Sequence, residues 1–313
     1  MINVCRYENT DKTEWNDFIK SSKNGTFLFS RDYMEYHAER FTDCSMIFRD
    51  DDGKLIAVMP ANLSGETLVS HGGLTFGGVV SGNRMKTPTM LAVFEGLIGF
   101  SRKNALLRIV YKVVPHIYHA QPAEEDLYAL FRYNAQLVRR DISTTIYLKE
   151  RLSLSKGRKW AAGQSRKNKI EVRESDDFET FIRLESELLA EKYNAVPVHT
   201  AAEMQLLASR FPDNIKLFGA FRQSEMLAGI IVYESKTVAH TQYIAANNEG
   251  KKLCALDGIL QYLITSHYAE KRYFDFGIST EQQGKYLNTG LIDFKESWGG
   301  RAIAYDFYEL NIK

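Results

Sequence analysis

Residues 273–300 read YFDFGISTEQQGKYLNTGLIDFKESWGG. Aromatic residues flank Asp275 and lead to Gly277, which predicts a strand that ends in a polar loop. A short helix with one lysine between aromatic residues follows. Asp275, Ser279 and Trp298 are candidates for substrate binding, because loops that follow strands commonly carry function. A structural alternative stays open, in which Asp275 only bonds backbone groups.

The composition is that of a folded and nearly neutral protein. The chain has 313 residues, 44% of them hydrophobic, with 40 Lys plus Arg against 39 Asp plus Glu. This length favours two domains, and the net charge of +1 argues against DNA binding, which usually requires a large positive excess. The three cysteines lie far apart, so neither a disulfide framework nor a cysteine zinc site is expected. With no signal peptide and no apolar run of about 18 residues, the sequence predicts a soluble cytoplasmic protein with at most peripheral membrane contact.

The same order of elements is predicted twice along the chain. Each half is expected to contain a strand, two helices, a hairpin, a further strand, a long apolar helix and another strand. The predicted first helices begin at residues 13 and 177, the second helices at 30 and 201, and the hairpin turns lie at 53 and 224. A steady offset of this kind predicts a duplication, with domains 1–150 and 151–313.

Local signals give the element boundaries. Thr13 is the expected N-cap of the first helix, and Pro122 is expected to open a helix with an acidic first turn. The predicted helices include 13–22, 30–40, 88–102, 153–168, 177–193, 201–210 and 252–269, and the predicted strands include 2–7, 45–49, 55–61, 106–114, 144–148, 169–173, 216–221, 227–234, 237–245 and 273–277.

Three further stretches concentrate side chains suited to a ligand. Segment 70–78 is rich in glycine, which lets the backbone approach a ligand closely. Loop 115–119 follows a predicted strand, and residues 240–252 alternate polar side chains before a helix start whose free N–H groups would suit a phosphate. A bulged strand, a packed aromatic corner and an ordinary half-exposed strand are the structural alternatives. The candidates are His71, Gly73, Thr75, Tyr118 and Gln242 for substrate binding, His119, His240 and Tyr243 for proton transfer, and Asn247, Gly250, Lys251 and Lys252 for binding a cofactor phosphate.

A basic segment lies between the predicted halves. Residues 151–169 contain seven Lys or Arg and no acid. The predicted helix within it is either a solvated surface or the edge of a site for a phosphorylated ligand, with Arg166 as a candidate contact. No histidine pair shares a face with a carboxylate, so no metal is expected. P-loop, dinucleotide-binding and GxSxG motifs are absent.

The segments FDFGIST and GLIDFKESWGG resemble the end of the FemAB-like acyltransferases, whose pattern is D-F-G-x-S followed by a helix with F-K-x-x-[WF]-G. The resemblance covers residues 273–300 in motif and nearly the whole chain in element order. It implies an α/β (α+β) fold of two tandem GNAT-like domains, each a mixed, largely antiparallel twisted sheet flanked by helices. PHIYH, PVHT and HTQYIA are similar to a bacterial branch of GNAT acyltransferases linked to surface-polysaccharide synthesis, which adds His199 to the substrate-binding candidates.

The resemblance implies an N-acyltransferase. Acetyl-CoA or another acyl-CoA is the expected donor, and the expected acceptor is an amino sugar of a nucleotide- or lipid-linked polysaccharide precursor. Lys295 matches the lysine of the family motif, which implies a contact with a substrate phosphate or with the developing oxyanion. His240, Tyr243 and His119 each remain candidates for accepting the ammonium proton.

Departures from the family pattern keep two other functions open. Residues 247–253 lack an intact pyrophosphate loop, [QR]xxGx[GA], so the sequence alone does not establish an acyl-CoA donor. One alternative is an aminoacyl-tRNA-dependent transferase acting on a cell-wall precursor, although 177–212 is too short for the coiled-coil arm of some such members. The other is a non-catalytic binding module. The sequence makes no prediction of the oligomeric state.

Overall fold

The computed structural model describes residues 2–193 and 195–312, which belong to two compact units. Unit 1 consists of Met1–Asp141, Gln282–Lys285 and Ala304–Lys313, and unit 2 consists of Ile142–Glu281 and Tyr286–Ile303. The predicted domain boundary at residue 150 remains a prediction, and these units differ from it, because the first segment of unit 1 ends at Asp141 and unit 1 also contains Gln282–Lys285. The end of the chain lies in unit 1, together with its beginning.

The helices and strands follow one another along the chain as mixed α/β structure. The α-helices are α1 (Lys12–Ser21), α2 (Arg31–Met34), α3 (Thr87–Lys103), α4 (Glu125–Arg132), α5 (Lys156–Lys167), α6 (Phe178–Tyr193), α7 (Ala201–Arg210), α8 (Asn248–Lys252), α9 (Ala255–Tyr262) and α10 (Thr289–Glu296). The strands are β1 (Asn3–Arg6), β2 (Thr42–Asp43), β3 (Met46–Arg49), β4 (Leu55–Met59), β5 (Asn62–Ser64), β6 (Thr67–Val69), β7 (Val80–Ser81), β8 (Arg108–Lys112), β9 (Gln136–Tyr147), β10 (Glu171–Ser175), β11 (Ile215–Arg222), β12 (Glu225–Glu234), β13 (Val238–Ala246), β14 (Tyr273–Ile278), β15 (Thr280–Glu281), β16 (Tyr286–Leu287) and β17 (Arg301–Asn311).

The described part of unit 1 contains two groups of paired strands. One has the order β1-β3-β4-β7 with antiparallel neighbours. In the other, β17 pairs with β8, β8 pairs in parallel with β6, and β5 lies between β6 and β2. Helix α3 contributes Val93, Phe94 and Leu97 to the core, because these positions recur at helical spacing on one apolar face.

Unit 2 is built on strands in the order β10-β11-β12-β13-β14-β9. Neighbours are antiparallel except β13 and β14, which run parallel. Helix α9 packs through Ile259 on one face of the sheet with Ile230 of β12. Helix α6 packs on the opposite face, because its Phe181 lies over Gly229 and successive strand residues alternate between faces. The predicted fold class, helices flanking mostly antiparallel twisted sheets, is confirmed.

Three predicted boundaries in unit 1 are wrong. Helix α1 begins at Lys12 with Asp11 as its N-cap residue, so Thr13 lies inside the helix. Region 30–40 is not one α-helix, because α2 gives way to a 3₁₀ segment, Glu35–Arg40, that is kinked at His37. Pro122 does not open α4, whose N-cap is Glu124.

The predicted helix 252–269 is interrupted in the structure. Cys254 adopts a left-handed φ of 58° between α8 and α9, and α9 continues into a π-helical turn, Leu263–His267. A left-handed residue breaks the ladder of hydrogen bonds, so the continuous apolar pattern does not make a continuous helix. Strand β9 begins at Gln136, well before the predicted residue 144, and β17 was not predicted.

Two observations on residues 2–193 and 195–312 bear on function. None of their helices is long and apolar enough to cross a membrane. None of their His, Cys, Asp and Glu side chains form a group of three or more that would hold a metal ion.

Candidate functional site

Strands β13 and β14 separate at their carboxyl ends. Their parallel pairing covers three residue pairs and stops at His240 and Asp275. On the other side of β13, the register against β12 shifts between Thr241 and Tyr243, so Gln242 is the extra residue of a bulge. On the β14 side, Gly277 adopts a left-handed φ of 76°. A gap between two strands therefore begins where His240 and Asp275 lie side by side.

Asp275 is a fully buried carboxylate that holds His240 in place. One carboxylate oxygen accepts hydrogen bonds from Ser143 Oγ and Thr145 Oγ1, both at 2.6 Å, and the other lies 2.7 Å from His240 Nδ1. Burial would raise the pKa of Asp275, but the hydrogen bonds from His240, Ser143 and Thr145 and the nearby imidazole outweigh it and lower the pKa. An ionised Asp275 accepts the proton on Nδ1, so in the neutral form of the His240 imidazole Nε2 is the acceptor.

Gly277 gives the imidazole of His240 its room. A Cβ at this position would lie 3.2 Å from His240 Cε1 and 3.8 Å from Nε2. Because φ is also positive, an L side chain here would be strained as well as crowded. Glycine at 277 is thus required by the local backbone and by its neighbour.

Lys295 is buried and bonded to backbone. Its Nζ donates to Gly277 O at 2.8 Å and to Ile278 O at 2.7 Å, and the residue is 4% exposed. Burial lowers its pKa to about 8, against the opposing effect of Asp275. Two of the three ammonium N–H groups therefore fix the end of β14, beside His240. The predicted contact with a phosphate or oxyanion remains a prediction.

Three other polar side chains near these elements are buried with polar atoms that lack a partner in the described part of the chain. They are Thr241 Oγ1 on β13, Ser279 Oγ after β14 and Trp298 Nε1 after α10. A buried polar atom without a hydrogen bond costs about 1–3 kcal/mol. Such atoms are therefore suited to bonding a ligand that enters.

Tyr243 and His199 form a second polar pair in unit 2. The hydroxyl of Tyr243 is hydrogen-bonded to Nδ1 of His199, which lies just before the N-cap of α7. Tyr243 faces the same side of the sheet as Ile231, its partner on β12. Gln242 is half-buried at the bulge, and the structure thus brings four of the predicted residues, His199, His240, Gln242 and Tyr243, onto or against β13.

The predicted phosphate-binding helix start is short and partly occupied by its own cap. Asn247 Oδ1 accepts the N–H of Gly250 at 2.7 Å, and α8 spans only Asn248–Lys252. A Cβ at Gly250 would lie 2.3 Å from Leu227 O, so this glycine is needed for close packing on β12. Lys251, Lys252 and Arg166 have exposed side chains. The cofactor role of this segment stays a prediction.

The remaining predicted residues, His71, Gly73, Thr75, Tyr118 and His119, lie in unit 1. His119 is buried and its Nε2 bonds Val114 O at 3.0 Å; burial lowers its pKa to about 4. Burial also lowers the pKa of His71 to about 3. Tyr118 bonds the hydroxyl of Tyr305 at 3.2 Å, whereas Gly73 and Thr75 are exposed.

Lys112 and Glu185 are two of the buried ionisable residues that the sequence did not identify. Lys112 Nζ donates to the carbonyls of His71, Gly72 and Leu74 and so holds the glycine-rich loop of unit 1. Glu185 is 6% exposed in α6, and its Oε2 has no partner among the residues described. Glu185 could have been found from its position, because it lies on an otherwise apolar helix face. Lys112 gave no such signal, since its strand also contains Arg108.

The chain is similar to known proteins in two ways, through a domain family that matches part of it and through solved structures that resemble its fold. Residues 149–295 match a domain family described as Acetyltransferase (GNAT) domain, and no curated protein matches the chain. The crystal structure of FemX is similar over 97% of this chain and 96% of its own, with a TM-score of 0.68 and 11% identity. The C-terminal domain of a putative lysylphosphatidylglycerol synthetase from Agrobacterium fabrum is similar over 98% of this chain and 92% of its own, with a TM-score of 0.60 and 9% identity. A tandem GNAT protein from the clavulanic acid biosynthesis pathway is similar over 100% of this chain and 99% of its own, with a TM-score of 0.51 and 12% identity.

Because these structures are only 9% to 12% identical to the chain, their similarity shows the fold alone. They confirm the predicted FemAB-like, tandem GNAT architecture. The domain match covers the segment that contains the separated strands, the Asp275–His240 pair and Lys295.

Proposed function

We propose that the protein, which has this FemAB-like tandem GNAT fold, is an acyltransferase whose active site lies in unit 2 at the ends of β13 and β14. One observation carries the proposal: a buried, ionised Asp275 orients His240 at the point where two parallel strands separate. An imidazole that is held through Nδ1, with Nε2 left to accept a proton, is suited to general base catalysis.

The reaction we propose is attack by an amine on an activated acyl group. His240 Nε2 takes a proton from the acceptor ammonium, and Asp275 stabilises the imidazolium that results. The amine nitrogen then forms a bond to the acyl carbonyl carbon. As the tetrahedral intermediate collapses, the bond to the donor's sulfur or oxygen breaks, and the leaving group takes up the proton that the attacking nitrogen loses.

Lys295 acts in this proposal as a positioning residue. Its bonds to Gly277 O and Ile278 O fix the backbone against which the imidazole packs. A rigid end of β14 keeps Nε2 aligned with the acceptor, and misplacement of a catalytic group by about 1 Å is costly.

An acyl-CoA is the donor that best suits the separated ends of β13 and β14. The hydroxyls of Thr241, on β13, and Ser279, directly after β14, are buried and without partners in the part of the chain that the structure describes. They are suited to the amide groups of a pantetheine arm. The acceptor we propose is an amino sugar that carries phosphate, in keeping with the exposed cations of α5.

Aminoacyl transfer is the second candidate. One structural neighbour is named a putative lysylphosphatidylglycerol synthetase, a name that describes joining lysine to a lipid headgroup. In that case an ester-linked aminoacyl group would take the place of the thioester, and the roles of His240 and Asp275 would be unchanged.

The test is a donor and acceptor panel with matched variants. The protein is incubated with acetyl-CoA and longer acyl-CoAs, or with lysyl-tRNA, together with glucosamine 1-phosphate or a nucleotide-linked glucosamine. We expect thiol release that requires an amine and is lost in His240→Gln, while His116→Ala, which changes an exposed histidine of unit 1, is unaffected. Transfer from lysyl-tRNA alone would assign aminoacyl transfer, and no transfer from any donor would overturn the proposal.

A further inference from the structure

Helix α5 presents one continuous basic face to solvent. Lys156, Lys159, Trp160, Gly163 and Lys167 recur at spacings of three and four residues, which places them on the same side of the helix. The opposite side is buried through Ala161, Ala162 and Ser165. From Lys156 to Lys167 the face is about 16 Å long.

The cations of this face lack acidic partners. Lys156, Lys159 and Lys167 make no ion pair with any residue in 2–193 or 195–312, and the nearest acids in sequence, Glu150 and Glu171, lie outside the helix. Arg158 differs, because it points to the buried side and pairs with Asp257 at 2.7 Å. The chain as a whole carries a net charge of +1, so this positive potential is local.

An exposed tryptophan lies among these cations. Trp160 is 64% exposed, whereas the other two tryptophans, Trp15 and Trp298, are 0% and 1% exposed. Leu152, just before the helix, is 47% exposed. A large apolar ring on the surface is costly to leave in water, and a ring with one polar N–H is suited to the boundary between water and lipid headgroups.

We propose that the α5 face, defined by Lys156, Lys159, Trp160 and Lys167, docks the protein on an anionic phospholipid surface. The lysines neutralise lipid phosphates, and the indole of Trp160 inserts at headgroup depth. Each cation close to such a surface strengthens binding about fivefold. Neither charge nor ring alone accounts for the face, since the lysines supply long-range attraction and the indole supplies contact that salt does not screen.

Vesicle binding tests this directly and needs no turnover. The full chain is titrated with vesicles of phosphatidylcholine containing about one third phosphatidylglycerol, and with pure phosphatidylcholine, at about 0.1 M salt. Because Trp15 and Trp298 are buried, a blue shift in tryptophan emission reports on Trp160. We expect sedimentation and a blue shift with the anionic vesicles, and little of either with phosphatidylcholine.

Matched variants test whether binding depends on the charges of the α5 face or only on the total charge of the protein. Lys159→Gln with Lys167→Gln should weaken binding about 25-fold, since each cation is worth about fivefold. Lys86→Gln with Lys103→Gln removes the same charge from exposed positions of unit 1 and should bind as the wild type does. Trp160→Ala should retain salt-sensitive binding but bind more weakly.

Three results would overturn the proposal. The first is equal binding to anionic and neutral vesicles, or no binding to either. The second is an α5 double variant that binds as tightly as its control. The third is quenching of Trp160 by bulk tRNA that depends on the α5 lysines without any vesicle binding, which would assign the face to nucleic acid.

Discussion

Replacing Glu185 with glutamine is expected to stabilise the folded protein, and to do so more strongly as the pH rises. The carboxyl group is buried in α6, and its Oε2 lacks a partner within the described residues. Burial raises its pKa from 4.5 to about 7. Because the folded pKa is the higher one, the stability that the neutral acid contributes is present below pH 4.5 and is lost as the pH rises to about 7.

The magnitude follows from the size of this shift. One pKa unit corresponds to 1.36 kcal/mol, so the rise from 4.5 to about 7 is worth about 3 kcal/mol. Glutamine has nearly the same shape and does not titrate. The Glu185→Gln variant should therefore exceed the wild type in free energy of unfolding by about 3 kcal/mol more at pH 8 than at about pH 4.5.

Urea denaturation at three pH values, followed by circular dichroism, measures this difference. Glu187→Gln is the control, because Glu187 is exposed on the same helix and its replacement should shift the curves little at any pH. A difference between Glu185→Gln and wild type that stays constant from about pH 4.5 to 8 would contradict this prediction, since it would mean that folding does not shift the pKa of Glu185.

Three further substitutions test the backbone supports of the two units. Lys295→Met should lower the free energy of unfolding by about 2–4 kcal/mol and reduce acyl transfer, because the carbonyls of Gly277 and Ile278 lose their donor; unchanged urea curves would contradict this. Gly277→Ala should cost about 1–2 kcal/mol from its positive φ and should lower kcat more than it raises KM, by crowding His240. Lys112→Met should increase amide hydrogen exchange in residues 70–78, measured by mass spectrometry, and exchange that stays at the wild-type rate would show that the lysine does not hold this loop.

The order of elements in unit 2 could be predicted because strands and helices have distinct hydrophobic periods. The stretch that contains Asp275 and Lys295 was identified from its motif, and His240 from its place in an alternating strand. The hydrogen bond between His240 and Asp275 was not predictable, because only the parallel pairing of β13 with β14 brings the two residues together. Ser143 and Thr145 escaped notice for the same reason, since they act from a strand distant in sequence.

Burial was harder to predict than position. Lysine in a short helix after a polar loop reads as exposed, yet Lys295 is 4% exposed because carbonyls at the end of β14 satisfy it. Glu185 occupies a position that helical periodicity assigns to the core, but residue type alone argues for solvent. The break at Cys254 was not predictable either, because an apolar stretch of sequence contains no signal for a residue with a left-handed φ.

The proposed function depends on His240, held by Asp275, as the base of an acyltransferase. The most direct test is kcat/KM for acyl transfer by His240→Gln, measured with the donor and acceptor that the wild type uses. We expect a loss of about 100-fold or more, with an unchanged circular dichroism spectrum and unchanged donor binding. A kcat/KM equal to that of the wild type would contradict it.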